Sequence, residues 1–215
     1  MKIIFSLILV FVFANVLAAQ DKPVRGKGIN FNQSIIVIGS GADKLEHLAA
    51  REMQRYLYRI SGIKLAISNT VPPGDETRNL FVLGTAESNK SVTEFNRNNL
   101  INLQELNPDG DGFVLKTLAE RTRTVCVITA RQPVGVLYGV YTLLEKMGFG
   151  FYLGGDTVPG ENLPVLVPEL NETWQPQFKI RGSIPWYNFL NSPTTWEEED
   201  FYVFFDQMAK MKVNF

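Results

Sequence analysis

Hydrophobic and polar positions along residues 34–146 form blocks that predict strands and helices in turn. Five short runs rich in β-branched and aliphatic residues predict strands, and two longer stretches with apolar residues every three or four positions predict helices. The predicted strands are SIIVIG (34–39), KLAIS (64–68), LFVLGT (80–85), GFVLKTL (112–118) and TVCVITA (124–130); the predicted helices are DKLEHLAAREMQRYLYRISG (43–62) and QPVGVLYGVYTLLEKMG (132–148). The pattern predicts an α/β sandwich in which a sheet of about five strands, two of them a hairpin, carries two helices.

The two predicted helices carry further local signals. Gly62 follows the first helix, where a glycine commonly ends a helix. Gly135 and Gly139 lie four residues apart on one face of the second helix, which predicts close packing of its backbone on the sheet. The polar stretch 87–107 predicts at most a short helix.

The pattern changes after Glu145. Residues 151–176 are rich in Gly and Pro without a helical period, which predicts a surface connector. FKIRGSIPW (178–186) predicts a strand, and Thr195 with Glu198 predicts a capping box that starts a helix. The predicted apolar stripe of this helix contains Phe201, Phe204, Phe205, Met208 and Met211, and VNF (213–215) resembles the start of another strand. A strand, a helix and the start of a second strand form an interrupted βαβ unit, which predicts the opening of a (β/α)8 barrel whose remaining units lie outside this chain.

The N-terminus has the three-part pattern of a secretory signal peptide. Lys2 precedes an apolar run from Ile3 to Phe13, and Ala18 and Ala19 come before polar Gln20. The apolar run is shorter than the roughly 20 residues that a spanning helix needs. We therefore expect a secreted or periplasmic protein with no membrane association after cleavage. The predicted organisation is a signal peptide (1–19), an α/β accessory domain (20–150), a linker (151–176) and a truncated barrel start (177–215).

Composition and charge narrow the classes of partner and cofactor. The chain has 21 Lys and Arg against 22 Asp and Glu, so it lacks the basic field that nucleic acid binding requires. The single cysteine, Cys126, lies in a predicted strand and is expected to be a small buried hydrophobe. The single histidine, His47, is expected on the surface of the first helix, and without a second His or Cys no zinc site is predicted. No metal and no cofactor is expected.

Two motifs resemble ligand loops without completing them. IGSGAD carries Gly39 and Gly41 between a strand and a helix, but Lys44 stands where a dinucleotide fingerprint has its third glycine. NPDGDG opens like a calcium loop, but Leu118 stands where the bidentate glutamate belongs. A strand-to-helix turn and a tight turn are the preferred interpretations. The run from Glu197 to Asp200 is interpreted as charge at a helix N-terminus and not as a catalytic cluster.

A resemblance to a known group of proteins rests on named segments. DGFVLKTLAERTRTVCVITARQPVGVLYGVYTLLEKMGFGFYLGGDTVP, AAREMQRYLYRISGIKL and FVLGT resemble the N-terminal accessory domain that precedes the barrel in α-glucuronidases and β-N-acetylhexosaminidases. IRGSIPW with WEEEDFYVFFDQMAKMKVNF resembles the start of the barrel in such enzymes. The resemblance covers Gln20 to Phe215 and implies an exported glycoside hydrolase that acts on complex carbohydrate.

The barrel resemblance also implies where substrate contacts lie. Residues just after the first strand of a barrel face the substrate, so Trp186 and Asn188 are candidates for stacking on a sugar ring and for binding its hydroxyls. Arg181, inside the predicted strand, is a candidate because related hexosaminidases use an arginine on this strand for sugar hydroxyls. The alternative for Arg181 and Trp186 is a packing role in the barrel.

No catalytic residue is predicted within this chain. Glycoside hydrolysis commonly uses two carboxyl groups that a barrel supplies from later strands. The chain alone is therefore expected to be inactive. Two other classes stay open, which are a stand-alone carbohydrate-binding module and a nucleotide-dependent α/β protein with Gly39 and Gly41 at a phosphate. The sugar, the stereochemical course and the oligomeric state are left open by the sequence.

Overall fold

The computed structural model describes residues 28–74, 76–183 and 192–215. The strands within these ranges are β1 (Ile29–Asn30), β2 (Ile35–Ile38), β3 (Ala66–Ser68), β4 (Leu80–Thr85), β5 (Phe113–Glu120), β6 (Arg123–Ala130), β7 (Gly150–Tyr152), β8 (Gly155–Thr157), β9 (Leu166–Val167) and β10 (Asn171–Trp174). The helices are α1 (Lys44–Ser61), α2 (Lys90–Arg97), α3 (Pro133–Lys146) and α4 (Glu198–Lys210), with short 3-10 turns at Leu103–Glu105 and Pro193–Thr195. The predicted signal peptide lies outside the described residues.

A six-stranded mixed sheet is the centre of the fold. Its spatial order is β10-β5-β6-β4-β2-β3. Strands β2, β3, β4 and β6 run parallel to one another, and β5 is antiparallel to both of its neighbours, β6 and the edge strand β10. The predicted hairpin is confirmed, since Phe113 pairs with Ala130 and Glu120 pairs with Arg123. The sheet has one strand more than the sequence pattern predicted, and that strand is β10.

Both faces of this sheet are buried, which explains its nearly continuous apolar strands. One face packs Ile36, Phe81 and Ile128 against helices α1 and α3. The other face packs Ile35, Val82 and Val127 against a smaller layer that includes Val92 of α2. The fold is therefore an α/β sandwich with a third helix that the polar stretch 87–107 had only weakly indicated.

Helix α1 begins and ends at the residues that its sequence signals indicated. Asp43 caps the N-terminus, and the Glu46 carboxylate accepts a hydrogen bond from the backbone N–H of Asp43 in return, which forms a capping box. Gly62 adopts the left-handed conformation with a φ of 67°, and its N–H bonds to the carbonyl of Tyr58. His47 is exposed on this helix, as expected.

The close approach predicted for the two glycines of α3 is confirmed. A Cβ on Gly135 would lie 2.6 Å from the backbone oxygen of Gly112 and 2.7 Å from Cβ of Ala130. A Cβ on Gly139 would lie 2.8 Å from Cγ2 of Ile128. The helix backbone therefore rests directly on β5 and β6, where side chains would hold it away. Cys126 lies beneath this layer as a fully buried strand residue, and burial raises the pKa of its thiol.

The segment 151–176 is not the surface connector that its composition predicted. Strand β10 in this segment pairs with β5 and extends the main sheet, and β9 pairs with β1. Val165 and Val167 are fully buried in the core beneath α1 and α3. The Gly and Pro content reflects tight turns between very short strands, which have too few residues for a visible alternation. The domain bounds proposed from the sequence stay a prediction.

The last part of the chain differs in two details from expectation. Residues 178–183 form no regular strand, and residues 184–191 of the predicted strand and loop lie outside the described residues. Helix α4 is capped by Glu197 with Asp200 and not by Thr195 with Glu198, because Thr195 is already part of a 3-10 turn. Of the predicted apolar stripe, Met208 is buried while Phe205 is 62% exposed, and Met211 lies just past the helix end.

Among the described residues, no helix is both long enough and apolar enough to cross a membrane.

Candidate functional site

Of the three predicted substrate-contacting residues, Arg181 alone lies within the part of the chain that the structure describes. Trp186 and Asn188 lie outside the described residues. Arg181 is described, and its guanidinium pairs with the carboxylate of Asp111 at 2.5 Å. The same guanidinium donates hydrogen bonds to the backbone oxygens of Lys212 at 2.8 Å and Phe178 at 2.9 Å. These contacts join the chain after β10 to the turn before β5.

Aromatic rings complete the surroundings of Arg181. Its guanidinium carbon lies 5.9 Å from the ring centre of Tyr138 on α3 and 5.8 Å from that of Trp174 on β10. Both distances are within reach of a cation–π interaction. Trp174 in turn stacks on Phe113 with ring centres 5.0 Å apart. The arginine is therefore enclosed by the accessory sheet on one side and by the last residues of the chain on the other.

Asn214 extends the Arg181 cluster. Its side-chain amide donates to Asp111 at 3.1 Å and to the backbone oxygen of Lys179 at 3.0 Å, and its side-chain oxygen accepts from the N–H of Arg181. The backbone oxygen of Arg181 accepts from the N–H groups of Asn214 and Phe215. The segments around residues 181 and 214 therefore lie side by side, on either side of α4 in the sequence.

A second charged cluster ties α4 to the β7–β8 hairpin and to α1. The ammonium of Lys210 lies 3.1 Å from the carboxylate of Asp156 in β8 and 2.6 Å from that of Asp206, and only 2% of the Lys210 side chain is exposed. The hydroxyl of Tyr56 on α1 donates to the same Asp156 carboxylate. Burial of this kind is tolerated for a lysine only when its charge is paired.

The pKa directions in this cluster follow from burial and pairing. Burial raises the pKa of the Tyr56 hydroxyl to about 12, with a further contribution from its hydrogen bond to Asp156. For Asp156 burial acts in the raising direction, but hydrogen bonds from Tyr56, Lys210 and Gln207 outweigh it and lower the pKa. For Lys210 burial acts in the lowering direction, and the carboxylates of Asp206 and Asp156 outweigh it and raise the pKa. Asp156 and Lys210 are therefore held charged.

The carboxyl edge of the parallel strands is closed by protein groups. In open α/β sheets this edge, where strands β2 and β4 end, is the usual place for a phosphate. Here the fully buried carboxylate of Glu46 accepts hydrogen bonds from the backbone N–H of Thr85 at 2.8 Å and from the hydroxyl of Ser88. A Cβ on Gly39 would lie 1.7 Å from the backbone oxygen of Ser88. A carboxylate of the protein thus takes the donors that a phosphate needs, which argues against the nucleotide alternative.

A model of the family described as "Glycosyl hydrolase family 67 N-terminus" matches residues 19–143, which is more than half of the chain. The chain belongs to this family. The matched residues of this family 67 N-terminal domain include α1, α2 and most of α3, together with strands β1 to β6. The resemblance to an accessory domain of a glycoside hydrolase is therefore confirmed.

Solved structures of two glycoside hydrolases resemble this chain, and the first of them shows the same fold. A family GH115 4-O-methyl-α-glucuronidase with specificity for decorated arabinogalactans matches 88% of this chain, with a TM-score of 0.57 and 13% sequence identity. A GH20 β-N-acetylhexosaminidase from Streptomyces coelicolor A3(2) matches 73% of the chain, with a TM-score of 0.44 and 16% identity. The chain spans about a quarter of the length of each of these two proteins. No curated protein sequence matches the chain.

The carboxylates around the start of α4 do not form a catalytic or metal-binding group in the part of the chain that the structure describes. Glu197 and Asp200 form the capping box, and Glu198 accepts a hydrogen bond from the hydroxyl of Tyr202. No group of three or more potential metal ligands occurs among residues 28–74, 76–183 and 192–215. The interpretation of these carboxylates as charge at a helix N-terminus agrees with their positions.

The sequence pattern did not predict the ion-pair partners in the Arg181 cluster or in the Lys210 cluster. Asp111 was assigned only to a tight turn, and Lys210 and Asp156 were assigned no role. Arg181 and Asp111 are 70 residues apart, and Lys210 and Asp156 are 54 residues apart. The one local signal is Asp206, four residues before Lys210 on the same helix.

Proposed function

We propose that this chain is the N-terminal part of an exported glycoside hydrolase that acts on complex carbohydrate with α-glucuronidase-like or hexosaminidase-like activity. In this proposal residues 20–150 are the accessory domain, and residues 177–215 are the first βα unit of a (β/α)8 catalytic barrel. The observation that carries the proposal is the match of the family 67 N-terminal model to residues 19–143. The glucuronidase named above has this fold over a larger share of the chain, which extends the support beyond residue 143.

The contacts after residue 177 support the barrel part of the proposal. The residues around Arg181 and Asn214 lie side by side, and α4 connects them, which is the arrangement expected where two neighbouring barrel strands begin. Helix α4 also exposes large apolar side chains, since Tyr202 is 65% and Phe205 is 62% exposed. Exposed apolar surface on a helix is typical of a face that packs against further protein.

The chemistry of glycoside hydrolysis sets the role of the rest of the protein. Two carboxyl groups must flank the scissile bond, and in a barrel they project from the carboxyl ends of strands. The described carboxylates around α4 lie at the start of a helix, and Asp111 and Asp156 are paired with cations. In this proposal the catalytic pair comes from later barrel strands outside these 215 residues.

Within this proposal the sequence-predicted contacts have separate roles. Trp186 and Asn188 follow the first barrel strand and contact the sugar, through ring stacking and hydroxyl hydrogen bonds. Arg181 positions the segment that leads to them, because its guanidinium is engaged by Asp111 and by two backbone oxygens.

The proposal is tested by comparing two proteins. The complete reading frame that contains this chain and the 215-residue chain itself are purified and assayed with 4-nitrophenyl α-D-glucuronide, 4-nitrophenyl N-acetyl-β-D-glucosaminide and glucuronidated polysaccharide. We expect turnover by the longer protein on one substrate class and none by the chain alone. Turnover by the 215-residue chain that scales with enzyme concentration contradicts the proposal, and so does a longer protein that cleaves no glycoside.

Export is a separate part of the proposal with its own test. The three-part pattern of residues 1–19 supports cleavage after Ala19. N-terminal sequencing of the protein recovered from the medium or the periplasm is expected to begin at Gln20. Recovery of the unprocessed chain from the cytoplasm contradicts export.

A further inference from the structure

A polar cleft of about 640 Å³ opens beside the Arg181 cluster, at the junction between the accessory sheet and the last residues of the chain. Four separate parts of the chain line it: the turn 107–111, the N-terminus of α3 at Gln132, the segment 175–179 after β10, and Asn214. Side-chain amides predominate in this lining. Such a convergence of amides from distant segments differs from an ordinary helix surface, where lysines and glutamates prevail.

Several of these polar groups have unused hydrogen-bonding capacity within the described residues. The exposed side chains of Gln177, Lys179 and Asp109 make no hydrogen bond or ion pair with another described residue. Gln132 uses only its amide nitrogen, which donates to the backbone oxygen of Pro108, so its side-chain oxygen is open. Gln175 uses only its side-chain oxygen, which accepts from the N–H of Asn107, so its amide nitrogen is open. Donors and acceptors therefore face the same cleft together.

The charges in the cleft favour a neutral ligand. The carboxylate of Asp111 is neutralised by Arg181 and also accepts from Asn214. A divalent cation would then meet Asp109 as the one open carboxylate, whereas a calcium site needs several oxygen ligands. Lys179 and Asp109 offset each other, so an anionic uronate gains no net attraction. Paired donors and acceptors with little net charge suit a ligand rich in hydroxyl groups.

We propose that this cleft binds a neutral saccharide, whose hydroxyls accept hydrogen bonds from Gln175 and Lys179, donate to Gln132, and both donate to and accept from Gln177. Pro176 and Val134 supply apolar surface against which a ring face can lie. The proposal rests on the proposed function, since a second contact with the same polysaccharide raises the apparent affinity of a hydrolase without changing its catalytic site. The cleft includes Lys179, near the start of the segment 178–186 that was predicted as the first barrel strand, whereas Trp186 and Asn188 lie at and after the end of that segment in the sequence.

The test is an NMR titration of the isotopically labelled 215-residue chain with three neutral probes: xylotriose, cellotriose and galactotriose. We expect saturable shifts of the side-chain amide signals of Gln132, Gln175 and Gln177 with at least one trisaccharide. The double variant Gln177→Ala/Lys179→Ala removes two hydrogen-bonding groups that have no structural partner, and it is expected to weaken binding about tenfold. The matched control, Gln104→Ala/Lys64→Ala, changes an exposed glutamine and an exposed lysine outside the cleft and is expected to bind like the original chain.

Four outcomes would overturn the proposal. The first is that no trisaccharide shifts the side-chain amide signals, and the second is that the two double variants weaken binding equally. The third is that these signals shift with sodium D-glucuronate but not with the neutral sugars. The fourth is that they shift with calcium chloride alone. The titration needs no catalysis, so its result is independent of the glycosidase assay. Saturable binding by the chain combined with an inactive longer protein would favour the alternative of a carbohydrate-binding module.

Discussion

Replacing Lys210 with methionine tests whether the buried ion pair holds α4 on the β7–β8 hairpin. The ammonium group lies between Asp156, whose side chain is 12% exposed, and Asp206, whose side chain is 53% exposed. The methionine side chain has a similar length, so the substitution removes the charge while it keeps most of the packing. The change therefore isolates the electrostatic contribution of Lys210.

The magnitude follows from the burial of the two partners. The contact with Asp206 is a half-exposed i,i+4 pair, which contributes about 0.5 kcal/mol or less. The contact with Asp156 is buried, and removal of one partner from a buried pair costs about 3–5 kcal/mol because the other charge is left uncompensated. Asp156 keeps the hydrogen bond from Tyr56, which favours the lower end of that range. We expect Lys210→Met to lower the free energy needed to open α4 away from β8 by about 3 kcal/mol.

The assay combines urea denaturation with hydrogen exchange of the amides in residues 198–210. If α4 opens separately from the sheet, the loss appears as faster exchange in the helix while the sheet amides keep their protection. Lys64→Met, at an exposed lysine, is the control and is expected to lie within about 0.5 kcal/mol of the original chain. The reasoning is refuted if Lys210→Met matches this control in both measurements.

Three further predictions concern the same fold. A double-mutant cycle of Asp111→Asn and Arg181→Met is expected to show a coupling energy of about 1–3 kcal/mol in urea denaturation, because both side chains are mostly buried in their pair. Gly135→Ala is expected to cost about 1–3 kcal/mol in thermal or urea unfolding, because its new Cβ would lie 2.6 Å from the backbone oxygen of Gly112. The unfolding free energy is also expected to fall as the pH drops below about 4, the ordinary pKa of a carboxyl group. The folded protein lowers the pKa of Asp156, so this carboxylate contributes stability that is complete above the ordinary pKa. That stability is lost as the pH falls through the lowered pKa of the folded state.

Each of these predictions has a matched comparison. Additive effects of the two changes in the cycle would show that Asp111 and Arg181 act independently. Gly154→Ala is the control for Gly135→Ala, since a Cβ on Gly154 meets no atom within 4 Å, and equal costs at the two glycines would contradict the close-packing account. Asp156→Asn is expected to flatten the acid side of the pH profile, and an unchanged profile in that variant would remove Asp156 as its cause.

Much of the accessory fold followed from local patterns. The strand at Leu80–Thr85 and the hairpin of β5 and β6 were predicted because buried strands in parallel sheets are continuous apolar runs. Helix α1 was predicted over residues 43–62 because its apolar residues recur every three or four positions and Gly62 marks its end. These signals are all contained within a few neighbouring residues.

The misassigned elements depend on partners far away in the sequence. Strand β10 has four residues and looks like part of a connector, yet pairing with β5 makes it the edge of the main sheet. The capping box of α4 moved to Glu197 because a 3-10 turn at Pro193–Thr195 uses the residue that had been predicted to cap it. A four-residue strand and a connector look alike in sequence, and two nearby residues can each cap a helix. Contacts with distant parts of the chain therefore decide which alternative forms.

The sequence by itself determined the α/β class, the two long helices and the hairpin, because periodicity and capping act over a few residues. The likeness to an accessory domain came separately, from the resemblance of whole segments to a known family. The tertiary structure decided that Arg181 pairs with Asp111, that Lys210 is buried against Asp156, and that a polar cleft opens beside them. A salt bridge between residues more than 50 positions apart leaves no periodic trace in a single sequence. Its energy depends on the burial that the completed fold provides.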